Sequence, residues 1–146
     1  CGLVGVNAVT IANWVNLTTP VGMLVARLAD CRPAHRGPYW QATGYSRRFP
    51  MASAFTIGSV VISRSELDPG VWQHETSHMR QYAWCGAMFV PLYGLASAWS
   101  WARTGDWWSR NVFERRAGLT AGGYVERPVR TRGTRFGGTV AVAADA

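Results

Sequence analysis

The residues best suited to chemistry are His74, Glu75 and His78, in the run His74-Glu75-Thr76-Ser77-His78. A helix turns about 100° per residue, so side chains four positions apart share a face. Two imidazoles presented in this way can grip one zinc ion from the same side. Zinc favours imidazole nitrogen and takes a third protein ligand, which leaves a fourth position for water. Coordination brings the pKa of that water toward neutrality, and a neighbouring carboxylate can take its proton. Glu75 has the position for that base. The chain has three histidines, and two of them fall inside the pattern. That concentration weighs against two unrelated histidines on an ordinary helix.

The third ligand must come from another element. The candidates are Glu114, Asp106, Asp68, Glu126 and His35. Glu114 ranks first. On a helix, Asn111, Glu114, Ala117 and Gly118 share a face, and the small Ala117 and Gly118 would allow close packing against the motif helix. The competing reading pairs Glu114 with Arg110 or Arg115 at the surface. Asp106 is the second choice, and it can also cap whatever follows it. His35 lies in a Pro/Gly loop and reads as solvent-exposed. Gln81, three residues past His78, can hold a ligand from behind or stand in solvent. Tyr82, Tyr93 and Tyr124 can each stabilise an oxyanion, and each can equally be a packing residue. Arg80 is a candidate for binding a substrate carboxylate, with a plain surface role as its alternative.

The elements that position these groups follow from pattern. At 146 residues, with 48% hydrophobic and 16% charged residues, the chain suits one domain with a real core. Residues 3–15 read as a strand or short helix, broken at Thr18-Thr19-Pro20. Residues 21–28 read as a helix ended by Asp30, and 31–38 as a loop. Residues 39–47 and 54–63 read as strands, with Gly58 allowing another backbone to approach closely. A turn at 65–70 leads to a helix over 71–83, and a further helix over 107–118 is ended by Gly118. Residues 83–102 carry no charge. That length suits a membrane span, but Gly86, Pro91 and Gly94 interrupt it, and a core or interfacial helix pair is the alternative. Trp99, Trp101, Trp107 and Trp108 follow closely, as core packing or as an aromatic membrane-interface belt. The expected architecture is α+β, a small sheet packed beside a helix pair. Residues 1–126 form the domain and 127–146 a loose basic tail.

The net charge of +7 comes from 15 basic and 8 acidic residues, and every basic residue is Arg. The arginines are dispersed and no nucleic-acid motif accompanies them, so specific nucleic-acid binding is not expected. Attraction to anionic lipid is open. Three cysteines exclude a disulfide-dense scaffold. A Cys1–Cys31 bridge and buried reduced thiols are both compatible with the spacing.

His74-Glu75-x-x-His78 with a downstream helical Glu114 resembles the zincin metallopeptidases, in particular the glutamate-ligand branch, the gluzincins. AFTIGSVVISR, HETSHMRQY, VPLYGLASAW and NVFERRAG together look closest to small bacterial HExxH proteins, over about residues 54–124. The resemblance implies a zincin-type helix pair. It also implies His74, His78 and Glu114 as zinc ligands, Glu75 as catalytic base, and a peptide or protein substrate. It further implies that the strand before the motif helix, here 54–63, borders the cleft and pairs with an extended peptide. Two departures accompany it. Glu114 sits in an NxxE setting, and the chain is much shorter than most active peptidases. A catalytically weak or inactive zinc-binding domain, with a scaffolding or membrane-associated role, is therefore the alternative expectation.

Overall fold

The computed structural model describes residues 2–50 and 52–130. The architecture is α+β: a four-stranded mixed sheet with helices packed on it. Helices α1 (Gly2–Val15) and α2 (Thr18–Leu28) come first. Strands β1 (Arg32–Arg36), β2 (Tyr39–Thr43), β3 (Ala54–Ile57) and β4 (Val60–Ser63) follow. Helix α3 (Pro69–Cys85) carries the motif, and α4 (Phe89–Thr104) and α5 (Val112–Ala117) complete the order. The sheet order is β1-β2-β4-β3, antiparallel except for the parallel β2–β4 pair.

The β-branched run at 60–63 explains why β4 is central. All four of its residues are buried. Val60 and Ile62 pack with Met23 and Ala26 of α2, while Val61 packs on the other face with Met79 of α3. A strand covered on both sides reads as continuously apolar, as this one does. The 54–63 stretch is nevertheless two strands, not one. Gly58, at φ 62°, turns the chain between them. A Cβ on Gly58 would lie 2.4 Å from the backbone nitrogen of Thr19, so the glycine does admit another backbone. The Ser59 N–H donates to the Thr19 hydroxyl at 3.1 Å there.

Several other boundaries differ from the pattern-based reading. Residues 31–38 are not all loop: β1 pairs with β2 across a turn at Gly37, where φ is 63°. Pro33 is tolerated because β1 is an edge strand. Residues 3–15 are helical. The break falls at Asn16-Leu17, and Pro20 sits in the first turn of α2, where its missing N–H costs nothing. The strand begun at Tyr39 ends at Thr43. Helix α3 is longer than 71–83 because Pro69 opens it and Gly86 closes it. Residues 107–111 form a turn, and α5 begins only at Val112.

The uncharged run 83–102 is divided between α3 and α4 by a 3-10 turn at Gly86–Met88. Among the described residues, no single helix is long and apolar enough to cross a membrane. Only Asn7–Val15 and Thr18–Leu28 reach that composition together, and they are bent by 79°. Polar side chains lock α1 onto the motif helix. Buried Asn13 donates to the Met79 carbonyl at 3.0 Å, and Asn16 donates to the Tyr82 carbonyl at 3.0 Å. Of the expected basic tail, only residues 127–130 are described. Two of their N–H groups tie back to the domain, Arg127 to the Ser109 hydroxyl and Arg130 to the Arg103 carbonyl. Cys31 is a buried free thiol and Cys85 a partly buried one; Cys1, and any bridge to it, lies outside the described residues.

Candidate metal centre

Helix α3 buries His74, Glu75, His78, Met79 and Tyr82, a stripe set by 3.6-residue periodicity. Helix α5 is only six residues long, and Asn111 positions it. The Asn111 side-chain oxygen accepts from the Phe113 N–H at 2.9 Å, capping the helix. Its amide donates to the Ser97 hydroxyl of α4 at 2.9 Å. This anchoring buries Glu114 opposite the motif, with 2% of it exposed. His74 Nε2 lies 3.1 Å from Glu114 Oε2, His78 Nε2 lies 3.6 Å from Glu114 Oε1, and the two Nε2 atoms are 3.1 Å apart. The ligand atoms of all three residues fall within 4.8 Å of one another.

The outward sides of both rings define their protonation. His74 Nδ1 lies 2.9 Å from the Gly118 carbonyl, which can only accept, so Nδ1 carries the hydrogen. His78 Nδ1 lies 2.8 Å from the side-chain oxygen of Gln81, whose amide donates to the Phe113 carbonyl at 2.9 Å. That orientation of Gln81 makes His78 Nδ1 a donor as well. In the neutral rings, both Nε2 atoms therefore present lone pairs to each other and to the Glu114 carboxylate. Glu114 Oε2 has no hydrogen-bond partner even though His74 Nε2 is close, as two facing acceptors require. Only a cation satisfies such a cluster: a proton or a metal ion. Two imidazoles and a carboxylate, each held from behind by a second hydrogen bond, can hold a metal ion.

The electrostatics agree. Burial disfavours a charged His74 ring, but a charged ring can donate to the Glu114 carboxylate, and that bond together with the carboxylate's charge outweighs burial and raises the His74 pKa. Burial also works against the Glu114 carboxylate, yet His74, His78 and Tyr93 hold its pKa below the ordinary value. Tyr93 donates its hydroxyl to Glu114 Oε1. Glu75 is buried beside the cluster. Its Oε2 accepts from the Thr56 hydroxyl of β3 at 2.7 Å. Burial raises its pKa more than Thr56 and the two histidines lower it.

All four residues line a cleft of about 800 Å³. Its walls include Phe55 and Ile57 of β3, Phe89, Tyr93, Trp108 and Tyr124. Burial pushes the Tyr82 hydroxyl up to about 12 and raises Tyr93 and Tyr124 too, so all three are proton donors at neutral pH. Tyr93 is committed to Glu114, whereas Tyr124 packs with its ring 6.0 Å from that of His74.

The other sequence candidates have different roles. Asp106 accepts from the Trp108 and Ser109 N–H groups and from the Ser109 hydroxyl, at 3.1, 2.7 and 2.7 Å, and so builds the turn before α5. Glu126 is the residue that pairs with Arg110 and Arg115, the partnership considered for Glu114. Asp68 is exposed at the start of α3, and His35 is exposed with its ring against Trp40. Arg80 is exposed and absent from the cleft lining. Sequence reasoning missed Thr56, the Gly118 carbonyl and Gly122. A Cβ on Gly122 would stand 2.6 Å from His74 Cε1, so this glycine lets the backbone back the ring. None of the three carries a local signal, because each acts through a contact made only in the folded chain.

No protein-family model, curated protein or solved structure matches this chain. The class rests on the fold and the site alone: an α+β protein with a buried His74–His78–Glu114 group able to hold a metal ion.

Proposed function

We propose that the chain is a zinc-dependent metallopeptidase-like domain, with His74, His78 and Glu114 as zinc ligands and Glu75 as general base. The observation that carries the reading is the convergence of two imidazole lone pairs and a buried carboxylate beside a second carboxylate, within one cleft. When bound, zinc supplies Lewis acidity, which polarises a carbonyl and acidifies water. The chain's own residues do the rest. Thr56 holds Glu75 Oε2, which leaves Oε1 to take a proton from the attacking water. Burial makes that carboxylate a stronger base than a solvated one. The Tyr124 hydroxyl, protonated and in the cleft wall beside His74, is available as a donor to a developing oxyanion.

Substrate binding follows from β3. Among the described strands it pairs only with β4, and all four of its residues line the cleft. Its other edge can take up an extended peptide by main-chain hydrogen bonds. The strand that serves is Ala54–Ile57 rather than the whole 54–63 stretch.

The decisive experiment is Glu75→Gln. Its expected outcome is one bound zinc, unchanged, with peptide cleavage lowered at least about 100-fold. A wild-type chain that binds zinc but cleaves nothing in a broad peptide library would instead be an inactive zinc-binding domain.

A further inference from the structure

Helix α4 is built inside out. Its buried residues are Phe89, Ser97, Ser100 and Thr104, while Val90, Leu92, Leu95, Trp99 and Trp101 are exposed. Leu95 is 69% and Trp99 61% exposed. Between these stand exposed Pro91, Gly94, Ala98 and Ala102, so the outer face bears no charge before Arg103. A helix on an aqueous surface shows the reverse pattern. The inward hydroxyls are all satisfied: Ser100 donates to the Asp106 carbonyl, Thr104 to the Ser100 carbonyl, and Ser97 accepts from Asn111. Polar groups sealed inside and apolar groups outside are what an apolar surrounding demands.

The charges beside this face show what covers it. Arg103 stacks over the Trp99 ring, 5.4 Å from its centroid. Arg110, Arg115 and Arg116 share a groove with Trp99 and Arg103. Glu126 engages Arg110 and Arg115, and the ion pairs of the described residues give Arg103 and Arg116 no carboxylate. Trp101 and Trp107 stack at 5.7 Å, both about half exposed. Tryptophan beside arginine at the edge of an apolar face suits the boundary between acyl chains and phosphates. With 16 residues, α4 is roughly 24 Å long, too short for a comfortable span and suited to lying in the interface plane.

We propose that the outer face of α4 docks on an anionic bilayer surface, with Leu95 and Trp99 in the acyl boundary and Arg103 and Arg116 among the headgroup phosphates. The docking is independent of the peptidase reading.

The test mixes the full chain with vesicles of phosphatidylcholine alone, or of phosphatidylcholine with phosphatidylglycerol. Co-sedimentation and tryptophan emission are the readouts. The expected result is salt-sensitive binding to the mixed vesicles, with emission shifted to the blue. Leu95→Glu and Trp99→Glu lie at exposed positions and should keep the wild-type circular dichroism, yet weaken binding at least about tenfold. Arg103→Gln and Arg116→Gln should each weaken binding to the mixed vesicles roughly fivefold. Failure to bind the mixed vesicles overturns the proposal, as does undiminished binding by folded Leu95→Glu. A concentration-dependent dimer that covers α4, without vesicle binding, assigns the face to a second copy and also overturns it.

Discussion

The Thr56 hydroxyl donates to Glu75 Oε2 across 2.7 Å, so the edge strand grips the carboxylate that the motif helix carries. The contact couples two elements whose relative placement decides where that carboxylate points. It also stabilises the charged form of a buried acid.

Replacing that hydroxyl by a methyl group, in Thr56→Val, leaves the Glu75 carboxylate without its donor. We expect a loss of about 1.5–3 kcal/mol in unfolding free energy, the range for a hydrogen bond to a charged group. Zinc content should not change. The acid limb of a pH–rate profile should move to higher pH, because the hydrogen bond lowers the Glu75 pKa. Denaturant unfolding and the profile check the two halves separately.

Elemental analysis should find one zinc per chain, absent from a His74→Ala, His78→Ala double variant. Asp106→Ala should keep its zinc and lose about 0.5–2 kcal/mol of stability, since Asp106 caps a turn and does not face the cluster. Zinc loss in Asp106→Ala together with retention in the double variant would reverse the assignment.

Gly122→Ala should disturb the His74 ring without touching its chemistry. The new methyl would stand 2.6 Å from Cε1, and relief requires the ring or the backbone to move. A cost of about 1–3 kcal/mol is expected, with weaker zinc binding by competition against a chelator. Gly70→Ala, which meets nothing within 4 Å, is the control.

The metal-free chain should show its own pH optimum of stability. The His74 pKa is raised above 6.5 in the folded state despite burial, because Glu114 favours the charged ring. That contribution is complete below the unfolded value and is lost as pH rises through the folded one. The Glu114 pKa is lowered below 4.5, its burial being outweighed by His74 first. Its contribution is present above 4.5 and is lost as pH falls through the folded value. With a chelator present, the thermal midpoint should therefore be highest between about 4.5 and 6.5. Added zinc should raise the midpoint above that window and have little effect below it, since neutral imidazoles are needed. A chelated chain most stable above pH 8 would contradict the cluster's geometry.

Much of the site was legible because its chemistry is local. His74, Glu75 and His78 lie within one helical turn and a half, so periodicity alone puts the histidines on one face. Glu114 was reached through the small residues beside it, and Ala117 is indeed buried at that packing surface. The α+β class followed from a β-branched run before a helix and an uncharged run after it. The helix expected over 107–118 is confined to Val112–Ala117, because Asp106 builds a turn before it and Asn111 supplies the cap. The single strand expected over 54–63 is divided into two by a turn at Gly58. Gly58 can serve as a close-approach point within a strand or as a turn, and it does both here.

The amino-acid order by itself determined which side chains could ligate, which carboxylate stood beside them, and that one domain's worth of apolar residues would bury them. Tertiary structure alone decided which way each imidazole nitrogen points, since that depends on the Gly118 carbonyl and on Gln81 held by Phe113. It alone chose Thr56 as the partner of Glu75, 19 residues away. Ring tautomers and carboxylate orientation are set by hydrogen bonds between distant segments, and only folding brings those segments within 3 Å of each other.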